Sequence, residues 1–589
     1  MINLDNNLRA LSLIKSSILD DLYKINIQNF DLLKDEFGLN VNFKGKMLYK
    51  NANEELLSSL NFFNDNCTLY PVLFFYGLGS AALYKLLLEN ENLKHLIIFE
   101  KELELIKLCL CFFDFSKYIC EQRLIIINSF DDGEISKIFE IENIILAHKI
   151  YKLNIHSYFY ETNFKDDINN LNLKLISFMK NKAFSYGNDY KDALAGIKNT
   201  ILNLNDMLEN PPIRPFLKEN KFKFKTAIII STGPSLEKQL PLLKEVQNNL
   251  IIFCLDSSYS ILYEHNIIPD FVFSLERIPL SSEFFNNDYK EYDKNIIFII
   301  SALTHPNTVK YLKRNKRNFI LALRALHFST SLKLDDFGYL ADGLSVANMA
   351  FEMACVLRFE NIILIGQDLA YSEDKNSHSK NYIYKNLHKN DYERDFNHYE
   401  CEAYGGKKTV QSSFVWTLFR KIFEKDIALV SSKLGIKVYN ATEGGARINN
   451  SIEKPFKECC EKLLKEDLKK EFFTVKNNET QIKSLKKKAK KRIKELLQIQ
   501  NTFLKDFQKC KKDDIKNLEL LMLKLRKSEF FSELFLPLYF EKASELVKMK
   551  ALDFNEKDVK ELLESFFKES LTLLSLQDEL LTNYLKDRL

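Results

Sequence analysis

The segment KTAIIISTGPS at residues 225–235 has the residue types and the spacing to hold a phosphate. Ala227, Ile228, Ile229 and Ile230 read as a buried parallel strand, and Ser231, Thr232, Gly233, Pro234 and Ser235 turn it into a helix beginning near Leu236. Gly233 lets backbone come close to a ligand, and Pro234 suits a first helical position. The free N–H groups of the helix start, with the Ser235 hydroxyl, would face an anion. The same residues also suit a plain strand-to-helix turn with an ordinary cap, since short glycine turns recur in doubly wound sheets.

Neighbouring segments end in polar groups in the same way. The apolar run at 250–255 ends in Asp256, Ser257 and Ser258, and the run at 270–274 ends in Ser274, Leu275, Glu276 and Arg277. Ser345 opens a helix with Asn348 in its first turn, and the strand at 361–365 ends in Gly366, Gln367 and Asp368. Carboxyl ends of strands line the ligand crevice of an open α/β sheet, so Ser231, Thr232, Asp256, Ser274 and Glu276 are expected to converge, with Gly366 to Asp368 as a further wall. A strand at 435–439 and the loop EGGAR at 443–447 close this domain; glycine pairs permit close approach, so the loop is expected to border the crevice.

These elements belong to a larger chain. Its 589 residues exceed one hydrophobic core, and a prior of about 150 residues per domain suggests three or four units. A hydrophobic share of 46%, with 47 Phe and 26 Tyr, fills cores and argues against wholesale disorder. Lys+Arg 84 against Asp+Glu 80 leaves +4, which argues against a general nucleic-acid binder and makes any anion recognition local. The ten cysteines, among them Cys109 with Cys111 and Cys459 with Cys460, lack zinc-ligand spacing and read as reduced core thiols. The N-terminus lacks a basic region followed by an apolar core, and no apolar run reaches about 18 residues, so a cytoplasmic protein without stable membrane insertion is expected.

Three domains are expected along the chain. Residues 1–185 form a Rossmann-like α/β domain: a strand at 72–75, the turn Gly77-Leu78-Gly79-Ser80, a helix around Leu83, and a strand at 95–99 ending in Glu100. Glu100 stands about 20 residues beyond the glycines, where a dinucleotide or methyl-donor fold places its ribose-binding acid, but the third glycine is missing. A structural role is therefore expected for this domain. A linker and docking helix at 181–205 leads into the central doubly wound Rossmann-like domain, 186–449. Beyond Asn449, leucines, lysines and glutamates at helical spacing predict an all-helical C-terminal domain, 450–589. Its basic run at 483–492 suits a solvated helix face, or an acidic partner or anionic lipid.

GPSL at 233–236, the strand ending in Asp256, GLSV at 343–346 and IGQD at 365–368 together resemble the motility accessory factor proteins. These are flagellin glycosyltransferases that transfer nonulosonic acids such as pseudaminic or legionaminic acid. The resemblance spans roughly residues 190–450. The central segment is also similar to bacterial sialyltransferases with CMP-activated donors and to MptE-like 6-hydroxymethylpterin pyrophosphokinases. The resemblance implies transfer of a nonulosonic acid from a CMP-activated donor to Ser or Thr of flagellin, required for flagellar assembly and motility, with the donor as substrate and no separate cofactor.

On that reading Thr232, Gly233, Pro234, Ser235, Asp256, Ser257, Glu276, Ser345, Asn348, Gly366, Gln367 and Tyr371 bind the donor nucleotide. An aspartate at 256 departs from the asparagine usual in the sialyltransferases; it could accept from ribose hydroxyls. The polar loop at 369–380 is the expected lid, and its His378 is the expected general base, with Asp368 as second catalytic residue and His388, His398 and His327 as other candidate bases. Tyr371, Tyr382 and Tyr384 could donate to the leaving phosphate, and Lys407, Lys408 and Arg447 could pair with the sugar carboxylate. No aspartate pair stands at a strand end in a metal-binding pattern, so metal-independent transfer is expected.

Two rivals follow from the same residues. An ATP-dependent pterin pyrophosphokinase would need acidic Mg²⁺ ligands, which Asp256, Glu276 and Asp368 could supply. A non-catalytic flagellin-binding assembly factor would instead rely on the basic C-terminal helix.

Overall fold

The computed structural model describes residues 2–43, 45–187, 189–340, 343–395, 398–472, 478–509, 515–527 and 532–586. The chain divides into two compact units: Met1–Tyr190 with Lys509–Ser528 and Leu534–Leu571, and Lys191–Gln508 with Glu529–Glu533 and Thr572–Leu589. The helices expected as a separate domain at 450–589 are thus divided between the two.

The first unit holds a small antiparallel sheet, β1 (Phe30–Asp35), β2 (Gly38–Phe43) and β3 (Lys46–Met47), and a parallel sheet of β4 (Val72–Tyr76), β5 (His95–Phe99), β6 (Leu124–Ile127) and β7 (Leu153–Ile155). The parallel order is β6-β5-β4-β7, so the chain reverses direction across the sheet beside β4. The turn 77–80 follows β4 at that switch point, where such folds bind dinucleotides.

Here side chains stand directly against the two glycines, and a cavity of about 570 Å³ opens beside them along Tyr49, Ser80 and His156. A Cβ on Gly79, whose φ is +56°, would stand 1.9 Å from His156 Nε2 and 2.1 Å from Tyr49 Oη; one on Gly77 would stand 2.6 Å from the Tyr160 ring. The N–H groups of Leu78, Gly79 and Ser80 donate to Glu100 Oε2 (2.8 Å), Tyr160 Oη (3.1 Å) and Tyr49 Oη (2.9 Å). Glu100 also accepts from Tyr160 Oη at 2.7 Å and from the Glu102 N–H at 2.9 Å. Phenols and a carboxylate therefore satisfy the donors that would hold a pyrophosphate, and the acid at the ribose position is engaged internally. We expect the chain to show no measurable affinity for NAD or SAM in equilibrium titrations. Gly79→Ala should destabilise this unit by about 1–3 kcal/mol in urea denaturation, because its Cβ overpacks against His156 and Tyr49; micromolar NAD or SAM binding would overturn the structural role.

The second unit is built on eight parallel strands: β8 (Thr226–Ile230), β9 (Ile251–Leu255), β10 (Phe271–Ser274), β11 (Ile297–Ser301), β12 (Asn318–Ala322), β13 (Asn361–Ile365), and, after the antiparallel hairpin β14 (His398–Glu402) and β15 (Thr409–Ser413), β16 (Lys437–Asn440) and β17 (Ile452–Glu453). Their order is β12-β11-β10-β9-β8-β13-β16-β17. Ile, Phe and Val dominate these strands because both faces are covered, and every residue of β8, β9, β10 and β11 is buried. The helix Val346–Val356 packs against β8, β9 and β10, with Met349, Ala350, Met353 and Ala354 fully buried. The strands expected from the apolar runs all form; β11, β12 and β17 add to them, and β17 lies beyond the expected boundary at 449.

The basic run lies in the helix Glu479–Lys509 and is partly engaged within this unit: Lys486 pairs with Glu209 at 2.6 Å, and Arg492 donates to the Ser331 carbonyl at 2.6 Å. Among the described residues no helix is long and apolar enough to cross a membrane. Cys109, Cys459 and Cys460 are free and buried, and Cys111 is free and half-buried.

Candidate active site

The central sheet runs outward from β8 in both directions, to β9 on one side and to β13 on the other. The chain segments leaving β8, β9 and β13 part at their carboxyl ends and open a crevice of about 390 Å³. Ser231, Thr232, Gly233, Asp256, Ser257, Glu276, Ser345, Gly366, Gln367, Asp368, His378, Tyr382, Tyr384 and His388 line it, so residues drawn from six separate segments meet; Ser274 is not among them and bonds Asp256 instead. A larger cavity of about 840 Å³ lies at the opposite ends of the strands, beside Asp270, Asn295 and Asn318, away from the switch point.

The turn after β8 differs from a phosphate loop. Pro234–Lys238 form a single 3₁₀ segment, and the anion received by the Ser235 N–H is the protein's own: Asp368 Oδ1 lies 3.2 Å from that nitrogen, and Ser235 Oγ donates to Asp368 Oδ2 at 2.7 Å. A Cβ on Gly233 would sit 2.0 Å from Asp368 Oδ2 and 2.5 Å from the Gly366 carbonyl. Gly233 is thus required by contact with β13's end, which corrects the expectation that its missing side chain makes room for phosphate. Gly445 is held to the same purpose: at φ +71° its Cβ would lie 2.4 Å from Asp368 Cα. The EGGAR loop therefore packs on Asp368 instead of opening toward a ligand. Asp368, 5% exposed, acts as a clasp between three loops, and burial pushes its carboxyl up to about 6 against the opposing effect of the Ser235 bonds.

Asp256 is the second buried acid. Its Oδ2 accepts from Ser274 Oγ at 2.7 Å and its Oδ1 from the Ser257 N–H at 2.8 Å. Desolvation still pushes its pKa up to about 7. Glu276 stands exposed at the rim. No lysine or arginine is among the lining residues that are described.

Other expected residues serve the crevice indirectly. Ser345 and Asn348 form a capping box on the helix Val346–Val356, which fixes the wall contributed by Ser345 and leaves Asn348 behind it. Tyr371 Oη donates to Asp395 at 2.6 Å and its ring packs on Trp416, outside the crevice lining. Arg447 is held by Glu402 and Glu453, at 2.8 Å each, and neither it nor Lys407 or Lys408 lines the crevice. His327 is exposed on a helix, and His398 Nε2 bonds the Tyr392 carbonyl at 2.7 Å; neither reaches the site.

The loop after Asp368 forms a wall of the crevice and is bonded to the turn after β8. Ser379 is 1% exposed, its N–H donates to the Thr232 carbonyl at 2.7 Å, and its hydroxyl donates to Glu237. His378 lies flat on Tyr382, ring centroids 4.3 Å apart and 11° between planes, with the His388 ring 4.8 Å away. Burial, and then the neighbouring His388, push the His378 pKa down to about 4, while Asp391 opposes them. The imidazole is therefore neutral near pH 7, with one lone pair to accept a proton. Leu280, Phe284, Trp416 and Phe419, which no motif marked, also line the crevice. The single Trp beside a polar loop was the one visible signal for them.

Comparisons with known proteins agree with this architecture. A family model described as 6-hydroxymethylpterin diphosphokinase MptE-like matches residues 198–374. The structure of the Maf glycosyltransferase from Magnetospirillum magneticum AMB-1 superposes with a TM-score of 0.63 at 14% sequence identity, covering 99% of this chain and 97% of that one. None of the curated proteins compared matches the chain. The likeness to a Maf structure and to the MptE-like family noted from the sequence motifs is thus found again, and the fold is the mixed α/β one shared with that structure along nearly its whole length.

Proposed function

We propose that the chain is a glycosyltransferase that moves a nonulosonic acid, pseudaminic or legionaminic, from a CMP-activated donor to Ser or Thr hydroxyls of flagellin in the cytoplasm, in support of flagellar assembly and motility. The observation that carries the reading is His378 on the wall of a switch-point crevice, in a chain whose fold follows that of a Maf glycosyltransferase from end to end. In this reading Thr232, Asp256, Ser257, Ser345, Gly366 and Gln367 seat the nucleotide, His378 takes the acceptor's proton, and Tyr382 or Tyr384 donates to the departing phosphate. No metal or cofactor enters the scheme.

The pterin diphosphokinase reading has one observation in its favour, the family-model match over 198–374. Of its three acids, however, Asp368 is bonded to Ser235 and Asp256 to Ser274 and Ser257, which leaves only Glu276 exposed for Mg²⁺. Calorimetry with CMP and ATP in turn, the latter with Mg²⁺, separates the readings: CMP binding supports the transferase, ATP binding the kinase, and neither an assembly factor. Mass spectrometry of flagellin coexpressed with the donor pathway tests transfer.

A pH dependence follows from Asp256. Below about pH 7 its carboxyl is protonated and can donate to the nucleotide; as pH rises through 7 it becomes a buried anion facing an anionic ligand. CMP affinity should therefore fall between pH 6 and 8. Asp256→Asn, which keeps partners for Ser257 and Ser274 without the charge, should flatten that dependence. An unchanged pH profile in the variant would take Asp256 out of the nucleotide seat.

A further inference from the structure

Three side chains of the loop above the crevice meet at one buried carboxylate. Asp391, 5% exposed, begins the short helix Asp391–Arg394. Its Oδ2 lies 2.7 Å from His388 Nδ1 and accepts from Ser377 Oγ at 3.1 Å, and its Oδ1 pairs with Arg394 at 2.9 Å. Ser377 Oγ in turn lies 2.8 Å from His378 Nδ1.

The donors can be assigned from the acceptors. An ionised carboxylate has no proton to give, so the Ser377 hydrogen points at Asp391 and the oxygen keeps its lone pairs toward His378. Only a proton on His378 Nδ1 completes that bond. A neutral imidazole has one N–H, so Nε2 carries the lone pair, and it has no hydrogen-bond partner among the described residues. The ring lines the crevice, clamped against Tyr382.

The geometry points to Asp391 and Ser377 as positioning residues for the proposed base: a hydroxyl relay sets the His378 tautomer with Nε2 as proton acceptor and steadies the imidazolium formed during transfer. The inference rests on the assignment of His378 above. In that step the acceptor O–H breaks and its proton goes to Nε2. The acceptor oxygen forms the C–O bond to the anomeric carbon of the sugar, and the bond to phosphate breaks with its electron pair leaving on CMP. The new charge on the imidazole is met through Nδ1–H, Ser377 Oγ and the Asp391 carboxylate. Ligating atoms of His378, His388 and Asp391 also lie within 4.8 Å of one another, a set that a zinc ion could draw together, so metal binding is one outcome of the test.

The test uses the full chain. Long-range ¹H–¹⁵N spectra of ¹⁵N-histidine-labelled protein, with His378 assigned by its loss in His378→Ala, should place the proton on Nδ1. Asp391→Asn offers Ser377 an amide donor, lets the hydroxyl turn toward His378 Nδ1 and drives the ring proton to Nε2. Transfer from a CMP-nonulosonic acid to flagellin should then fall about 10²–10⁴-fold in kcat, with KM and CMP affinity unchanged. Ser377→Ala should lose about 10²-fold, and Ser377→Thr, which keeps the hydroxyl, should restore the rate. A proton on Nε2 in the wild type, wild-type kcat in both Asp391→Asn and Ser377→Ala, or stoichiometric zinc bound through these residues would each overturn the relay. If His378→Ala itself transfers normally, the base assignment fails; if it is inactive while the relay variants are normal, only the relay fails.

Discussion

His378→Ala is expected to bind CMP as the wild type does and to lose transfer by about 10²–10⁴-fold, the range a positioned general base contributes. An acceptor hydroxyl is a poor nucleophile until its proton has somewhere to go. On the proposed reading donor binding rests instead on the strand ends at Thr232, Asp256 and Gly366, which line the crevice and which the substitution leaves in place. The low pKa adds a second signature. With the imidazole pushed down to about 4, the base is in its active neutral form through the whole neutral range, and the acid limb it causes lies near pH 4 instead of near 6.5. Calorimetry measures the binding and mass spectrometry of flagellin the transfer. Wild-type modification by the variant would leave His388, also on the crevice wall, as the histidine to examine. Joint loss of CMP binding and activity would assign His378 to holding the donor.

Gly233→Ala should strongly damage the central unit. The added methyl would meet Asp368 Oδ2 at 2.0 Å and the Gly366 carbonyl at 2.5 Å, and both are fixed by bonds to the turn itself. Either β8 and β13 part at their carboxyl ends or the clasp breaks and leaves a buried acid without its donors. We expect a cost of about 3 kcal/mol, the upper end of ordinary overpacking, read as a lower urea midpoint together with loss of CMP binding. Gly405→Ala is the control. Its backbone, at φ +82°, is less favourable to a side chain than that of Gly233, at φ −61°, but nothing lies within 4 Å of the new methyl, so only backbone strain is added. A Gly233→Ala protein as stable as the control, with normal CMP affinity, would mean that the turn relaxes and the clasp is dispensable.

The sequence by itself determined the elements and where the crevice opens. Buried parallel strands are continuous apolar runs ended by glycine and polar residues, so β4, β5, β8, β9, β10, β13 and β16 could each be read from a window of about ten residues. Their carboxyl ends mark Thr232, Asp256, Ser257, Gly366 and Gln367 as neighbours. The strands β11 and β12 carry the same apolar pattern, but no glycine turn follows either, and β17 is only two residues long. What the tertiary structure decided is what each polar group faces. The partner of Ser235 is Asp368, 133 positions along the chain, and no local pattern distinguishes that carboxylate from a bound phosphate. Gly77 and Gly79 are occupied by Tyr160, His156 and Tyr49, which approach from distant segments. The link from Asp391 through Ser377 to His378 depends on how the loop after Asp368 folds back against the start of the helix Asp391–Arg394. Hydrophobic periodicity is a property of neighbouring residues, whereas the pairing of buried hydrogen-bonding groups is settled only when remote segments pack and every donor must find an acceptor.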